Sequence, residues 1–81
     1  MKIIMYGSRI CSDCVEAEAQ LLKRNDIELE YRQITQDVRT MKKFLSYRDN
    51  EPMFQPVKER GQIGIPFFVL EDGSKSFEIN F

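Results

Sequence analysis

Between Lys2 and Ile34 the hydrophobic period changes twice, and this limits the chain to a small set of architectures. Ile3-Ile4-Met5-Tyr6 is a short apolar run closed by Gly7-Ser8, which predicts a buried strand over Lys2 to Tyr6. From Ser12 to about Arg24 the composition turns to Ala, Glu, Gln, Leu, Lys and Arg, residues that favour helix, and Asn25-Asp26 ends it. Ile27 to Ile34 then alternates, with Ile27, Leu29 and Tyr31 on one side and Glu28, Glu30 and Arg32 on the other. That alternation is the mark of a half-buried strand, placed here at a sheet edge. Strand, helix and strand in this order make a βαβ unit.

The remainder continues the alternation of element types. Thr35 is a candidate N-cap with Asp37 in the first turn, and Val38, Met41, Phe44 and Leu45 follow at helical spacing to about Arg48. A stretch broken by two prolines leads to Pro56-Val57-Lys58-Glu59-Arg60, one further turn with Pro at its start and Gly61 at its end. Pro66 opens a third strand, Phe67-Phe68-Val69-Leu70; Asp72-Gly73 signals a hairpin turn, and Ser76 to Phe81 alternates again. The expected order is β-α-β-α-β-β, an α/β chain with a mixed sheet flanked by helices. Residues 1–81 form a single domain, without repeats or linkers.

Composition narrows the function classes. Twelve basic residues are scattered among thirteen acidic ones, for a formal charge of −1, which argues against nucleic acid as a partner because phosphate binding needs clustered positive charge. The N-terminal apolar run is too short for a signal-peptide core, and no stretch is long enough to span a bilayer. The expectation is a cytoplasmic protein with no membrane partner. In a reducing compartment two cysteines are chemical more often than structural.

Those cysteines are Cys11 and Cys14, separated by Ser12-Asp13 and placed where the first strand gives way to the first helix. The placement suits thiol chemistry, because a thiolate is the species that attacks a disulfide and helix-terminal amides favour negative charge. Cys11 is the residue at that terminus. Cys14 lies one turn further in, within reach of a mixed disulfide on Cys11. A structural disulfide is a weak competitor, since so short a loop yields only about 2 kcal/mol of chain-entropy stabilisation. Half a zinc site is weaker still: the chain has no second cysteine pair and no histidine, so no metal is expected.

Tyr6-Gly7-Ser8, Cys11-x-x-Cys14 and Gly64-Ile65-Pro66-Phe67, in this order of strands and helices, resemble the glutaredoxins of the thioredoxin-like superfamily. The resemblance implies a thioredoxin-like (glutaredoxin) fold and a thiol–disulfide oxidoreductase acting on protein or glutathione mixed disulfides. It implies that Ile65-Pro66 faces the cysteines with a cis bond, Ile65 meeting the substrate's backbone. Arg9 would lower the Cys11 pKa or hold a glutathione carboxylate, and Gln62 would also touch glutathione. The partners implied are disulfide-containing proteins or glutathione, with glutathione as reductant. The alternatives are a thioredoxin-reductase-linked electron carrier and a glutathione-dependent iron–sulfur-cluster binding module.

Several residues depart from the family. Ser12-Asp13 stands in place of the usual Pro-Tyr at the substrate-facing position, and Asp13 sets an anion beside the thiolate, opposing Arg9. The Gly-Gly and acidic turn that hold the γ-glutamyl end of glutathione have no counterpart; about Ser76-Phe77 aligns there. The family's last helix is short or absent, which would leave the strand-four side of one sheet face under-covered. Either a homodimer through that face or a compensating fold of residues 35–61 is expected, giving a monomer or weak homodimer. Glu18 falls on the apolar side of the first helix. By analogy with thioredoxins it would accept a proton behind the cysteines; the plainer reading is a flank position reaching solvent.

Overall fold

The computed structural model describes residues 1–81. Its centre is β1 (Lys2–Gly7), which pairs in parallel with β2 (Glu28–Gln33) and antiparallel with β3 (Phe67–Leu70). A short β4 (Lys75–Ser76) adds to β3, so the mixed sheet has the order β2-β1-β3-β4 with β2 at the expected edge. Helix α1 (Ser12–Leu22) connects the two parallel strands. Helix α2 (Val38–Asn50), a 3-10 turn (Pro52–Phe54) and α3 (Gln55–Glu59) lie between β2 and β3. This is a small α/β fold with a four-stranded mixed sheet and three helices.

The period-two alternation of the strands divides the apolar residues between two cores. On one face Ile3, Met5 and Phe68 pack with Cys14, Ala17 and Leu21 of α1. On the other, Tyr6 and Phe67 pack with Ile34, Phe44, Phe54 and Val57. Phe67 is the hub of the second core, with ring centroids 4.9 Å from Phe54 and 5.3 Å from Tyr47. Truncating a ring buried this way costs about 3–5 kcal/mol.

Three local expectations are corrected. Asp37, not Thr35, caps α2: its carboxylate accepts from the Thr40 amide at 2.8 Å and from the Thr40 hydroxyl at 3.0 Å. Thr35 is spent elsewhere, sharing a 2.7 Å hydrogen bond with Ser8 that ties the end of β2 to the loop before Cys11. Along α2, Val38, Met41 and Leu45 are exposed, and the inward residues are Phe44 and Tyr47, because the rings of Tyr6 and Phe67 meet only one edge of the helix.

The third correction concerns Ser76 to Phe81. The strand stops at Ser76, whose hydroxyl accepts from the Glu78 amide at 3.0 Å and lies 2.7 Å from the Glu78 carbonyl, closing a turn. Beyond it Phe77 turns to the α2 face against Phe54, while Ile79 and Phe81 turn to the α1 face. Phe81 meets Phe68 edge-on at 5.5 Å, and the Arg24 guanidinium donates to its main-chain oxygen. The half-buried Ile79 and Phe81 cover the strand-four side of the α1 face. No helix is long and apolar enough to cross a membrane.

Candidate active site

The loop Ser8–Ile10 delivers Cys11 to the start of α1. The Cys11 amide donates to the Ser8 carbonyl at 3.0 Å, and the Cys11 carbonyl accepts the first helical bond from Val15 at 3.0 Å. Cys11 therefore caps α1 with an extended backbone (φ −102, ψ 119) while its side chain makes no capping bond. The thiol is left half-exposed at the helix terminus. Cys14, one turn on, is fully buried, and both thiols are free.

Burial pushes the Cys14 thiol from 9.0 up to about 12; Cys11 and Asp13 add to the rise and a hydrogen bond from the Ser8 backbone opposes it. Cys14 has this depth because Gly7 lies under it. A Cβ at Gly7 would stand 2.9 Å from Cys14 Sγ and 3.1 Å from the Tyr31 hydroxyl. The motif thus divides into an accessible thiol and one held protonated behind it.

Across from Cys11 is the segment before β3. Gly64 has φ +97, and a side chain there would press on the Phe54 ring at 2.7 Å, so the turn needs glycine. Arg48 fastens the same segment from α2, donating to the carbonyls of Gln62 at 2.6 Å and Ile63 at 2.9 Å. The Ile65–Pro66 bond is cis, as the glutaredoxin resemblance implies. Neither main-chain group of Ile65 is hydrogen-bonded within the protein.

Between the two segments lies an open groove of about 670 Å³. Cys11, Asp13, Gln62, Ile65 and Pro66 line it, so five of the residues singled out in the sequence come together on one surface. The chain matches no protein-family model, no curated protein and no solved structure.

Other expected residues lie away from the groove. Arg9 is not on its wall: its guanidinium pairs with Glu18 at 3.1 Å and lies over the Tyr31 ring, 5.3 Å from the centroid. The guanidinium expected to address Cys11 or a glutathione carboxylate is paired with Glu18 in this fold. Glu18 is partly buried, its side chain 18% exposed, and its carboxylate is bound at the surface by Arg9. Ser12 is exposed and also outside the groove. The cation on the wall is Arg60, which lines the groove together with Asp13, Phe77 and Glu78. Arg60 and Glu78 were missed because their neighbours Gly61 and Phe77 read only as a helix stop and a strand residue. No cluster of three or more His, Cys, Asp or Glu side chains is arranged to hold a metal.

Proposed function

We propose that this chain is a thiol–disulfide oxidoreductase of the glutaredoxin kind on a thioredoxin-like fold, with Cys11 as nucleophile and Cys14 as resolving thiol. The observation that carries the reading is the pairing of a half-exposed Cys11 with a buried free Cys14, opposite the unpaired main chain of Ile65 beside a cis proline. An extended substrate laid along the groove finds a donor and an acceptor at Ile65 and a thiol within reach.

The chemistry is one exchange followed by another. Cys11 thiolate attacks a substrate disulfide R–S–S–R′, forming Cys11–S–S–R and releasing R′–S⁻. Cys14 then attacks the Cys11 sulfur, the bond to R breaks, and R leaves as its thiol with the proton that Cys14 gave up. The two protein sulfurs lose the two electrons that the substrate gains. Glutathione, the proposed reductant, returns them, and a thioredoxin-reductase-like donor is the alternative.

The groove suits a peptide-like substrate with mixed charge better than a polyanion, since Arg60, Asp13 and Glu78 all line it. Disulfide-bearing proteins and glutathione adducts in the cytoplasm are the proposed substrates, handled by a monomer or weak homodimer. An iron–sulfur module bridged by glutathione is disfavoured by the burial of Cys14 directly behind Cys11, an arrangement that serves resolution.

The deciding experiment compares Cys11→Ser with Cys14→Ser on an insulin disulfide substrate and a glutathionylated peptide. Cys11→Ser loses all reduction, whereas Cys14→Ser accumulates a mixed disulfide visible by mass. Equal loss in both variants without a trapped adduct refutes the assignment, and a coloured glutathione-dependent dimer favours the cluster-binding alternative.

A further inference from the structure

The Tyr31 hydroxyl is buried in the α1 face of the sheet with no hydrogen-bond partner. Buried tyrosine hydroxyls are usually bonded, so an orphan calls for an account. Its position is set by the parallel register: Met5 stands opposite Tyr31, and Gly7 follows two residues along on the same face of β1. The missing side chain of Gly7 opens a space bounded by Cys14 Sγ on one side and the Tyr31 hydroxyl on the other, the two lying 2.9 Å and 3.1 Å from the site of the absent Cβ.

The charged groups nearby do not explain the orphan as a structural bond. Glu18 is engaged by Arg9, and Arg9 meets the Tyr31 ring by its face and not its hydroxyl. The titratable groups around the Cys14 sulfur are Cys11 and Asp13 from its own helix, and Tyr31 from β2 with Glu18 and Arg9 beyond it. Cys11 and Asp13 both oppose ionisation of Cys14. The Ser8 backbone amide is one donor already at this sulfur, and burial outweighs it, so a resolving thiol in that setting gains from a second donor.

We propose that Tyr31 is a positioning residue for the resolving step, its hydroxyl donating a hydrogen bond to Cys14 Sγ as that sulfur becomes a thiolate. The proposal rests on the dithiol reading above. Tyr31 keeps its own proton throughout; the proton of Cys14 leaves with the departing thiol, and the electron balance is that of the exchange already given. Burial holds the Tyr31 hydroxyl protonated up to about 12, so it remains a donor at neutral and moderately alkaline pH.

The test uses dithiobis-nitrobenzoate at one equivalent with the reduced protein. Attack by Cys11 releases one coloured nitrothiobenzoate, and closure by Cys14 releases the second, so the two steps are read separately. In Tyr31→Phe the first release keeps its rate, while the second slows roughly tenfold at neutral pH and its pH midpoint moves up. Near-ultraviolet circular dichroism, with a thermal melt, establishes that the variant is folded. A second release with the parent's rate and midpoint overturns the role of Tyr31 and leaves the dithiol reading standing. A parent that gives the first release but never the second overturns the dithiol reading, and the role of Tyr31 with it.

Discussion

The sulfur of Cys14 rests against the bare backbone of Gly7, at a spot where a methyl group would come within 2.9 Å of it. The contact sets the depth of Cys14 beneath the sheet and so separates it from the half-exposed Cys11. Gly7→Ala pushes Cys14 and Tyr31 away together. Overpacking of this sort costs about 1–3 kcal/mol. Urea denaturation of the reduced protein should show a lower midpoint with an unchanged slope, and Gly7→Ala should also become faster to alkylate at Cys14. A variant as stable as the parent, with Cys14 equally protected, would mean that α1 slides freely over β1.

Alkaline pH should weaken the reduced fold through Cys14 and Tyr31. The folded chain holds the Cys14 proton to about 12 against an ordinary 9.0, and that of Tyr31 to about 12 against 10.0, both chiefly through burial. A raised folded pKa means that the folded state binds the proton more tightly than the unfolded one. The contribution is therefore complete below pH 9 and declines as pH climbs from 9.0 towards 12. Cys14→Ala removes the earlier part of this decline and leaves the part due to Tyr31. Urea midpoints taken across this range measure it, and a flat parent profile would contradict the burial of both groups.

Charge at the groove should act through Arg60 and not through Arg9. Arg60 lines the same wall as Cys11, whereas Arg9 is bound to Glu18. Arg60→Ala should raise KM for glutathione disulfide roughly two- to fivefold with kcat little changed, the size expected of an exposed charge. Arg9→Ala should leave KM alone and slightly lower the melting temperature by freeing Glu18. Steady-state kinetics on both variants separate these outcomes. The reverse pattern would place the anion-binding end of the substrate on the Arg9 side.

Function and stability should oppose each other at Tyr31. An unpartnered buried hydroxyl costs about 1–3 kcal/mol of desolvation, so Tyr31→Phe should raise the thermal midpoint of the reduced protein. A lower midpoint by differential scanning calorimetry would indicate a hydrogen bond that the hydroxyl makes in the resting fold.

Much of the architecture could be read from residue order. The apolar runs of β1 and β3, the alternation of β2, the helix-forming stretch after Cys11 and the turn residues Asp72-Gly73 each carry their conformation in their own side chains. The same local logic located Cys11 and Cys14, because a strand-to-helix junction is written in consecutive positions, whereas Ile65 and Pro66 were singled out by the resemblance to glutaredoxins. Local competition was harder to read. Thr35 and Asp37 are both capable caps, and the winner was settled by the hydroxyl of Ser8, which takes Thr35 from across the fold. Ser76 to Phe81 has the alternation of a strand, yet a serine-closed turn ends the ladder after Ser76.

Contacts between distant segments belong to the tertiary structure alone. Sequence pattern reports which side of an element is apolar; it does not report which residue of another element stands opposite. The parallel register that sets Met5 against Tyr31 brings a hydroxyl from β2 to the back of Cys14. The half-buried carboxylate of Glu18 takes Arg9 away from the groove, and the α3 terminus supplies Arg60 in its place. Each of these pairings depends on strand register and helix placement, which are fixed by packing over the whole core. The chain order therefore determined which thiols are present and where they sit along the backbone, while the fold decided which is exposed, which is buried, and which polar groups face them.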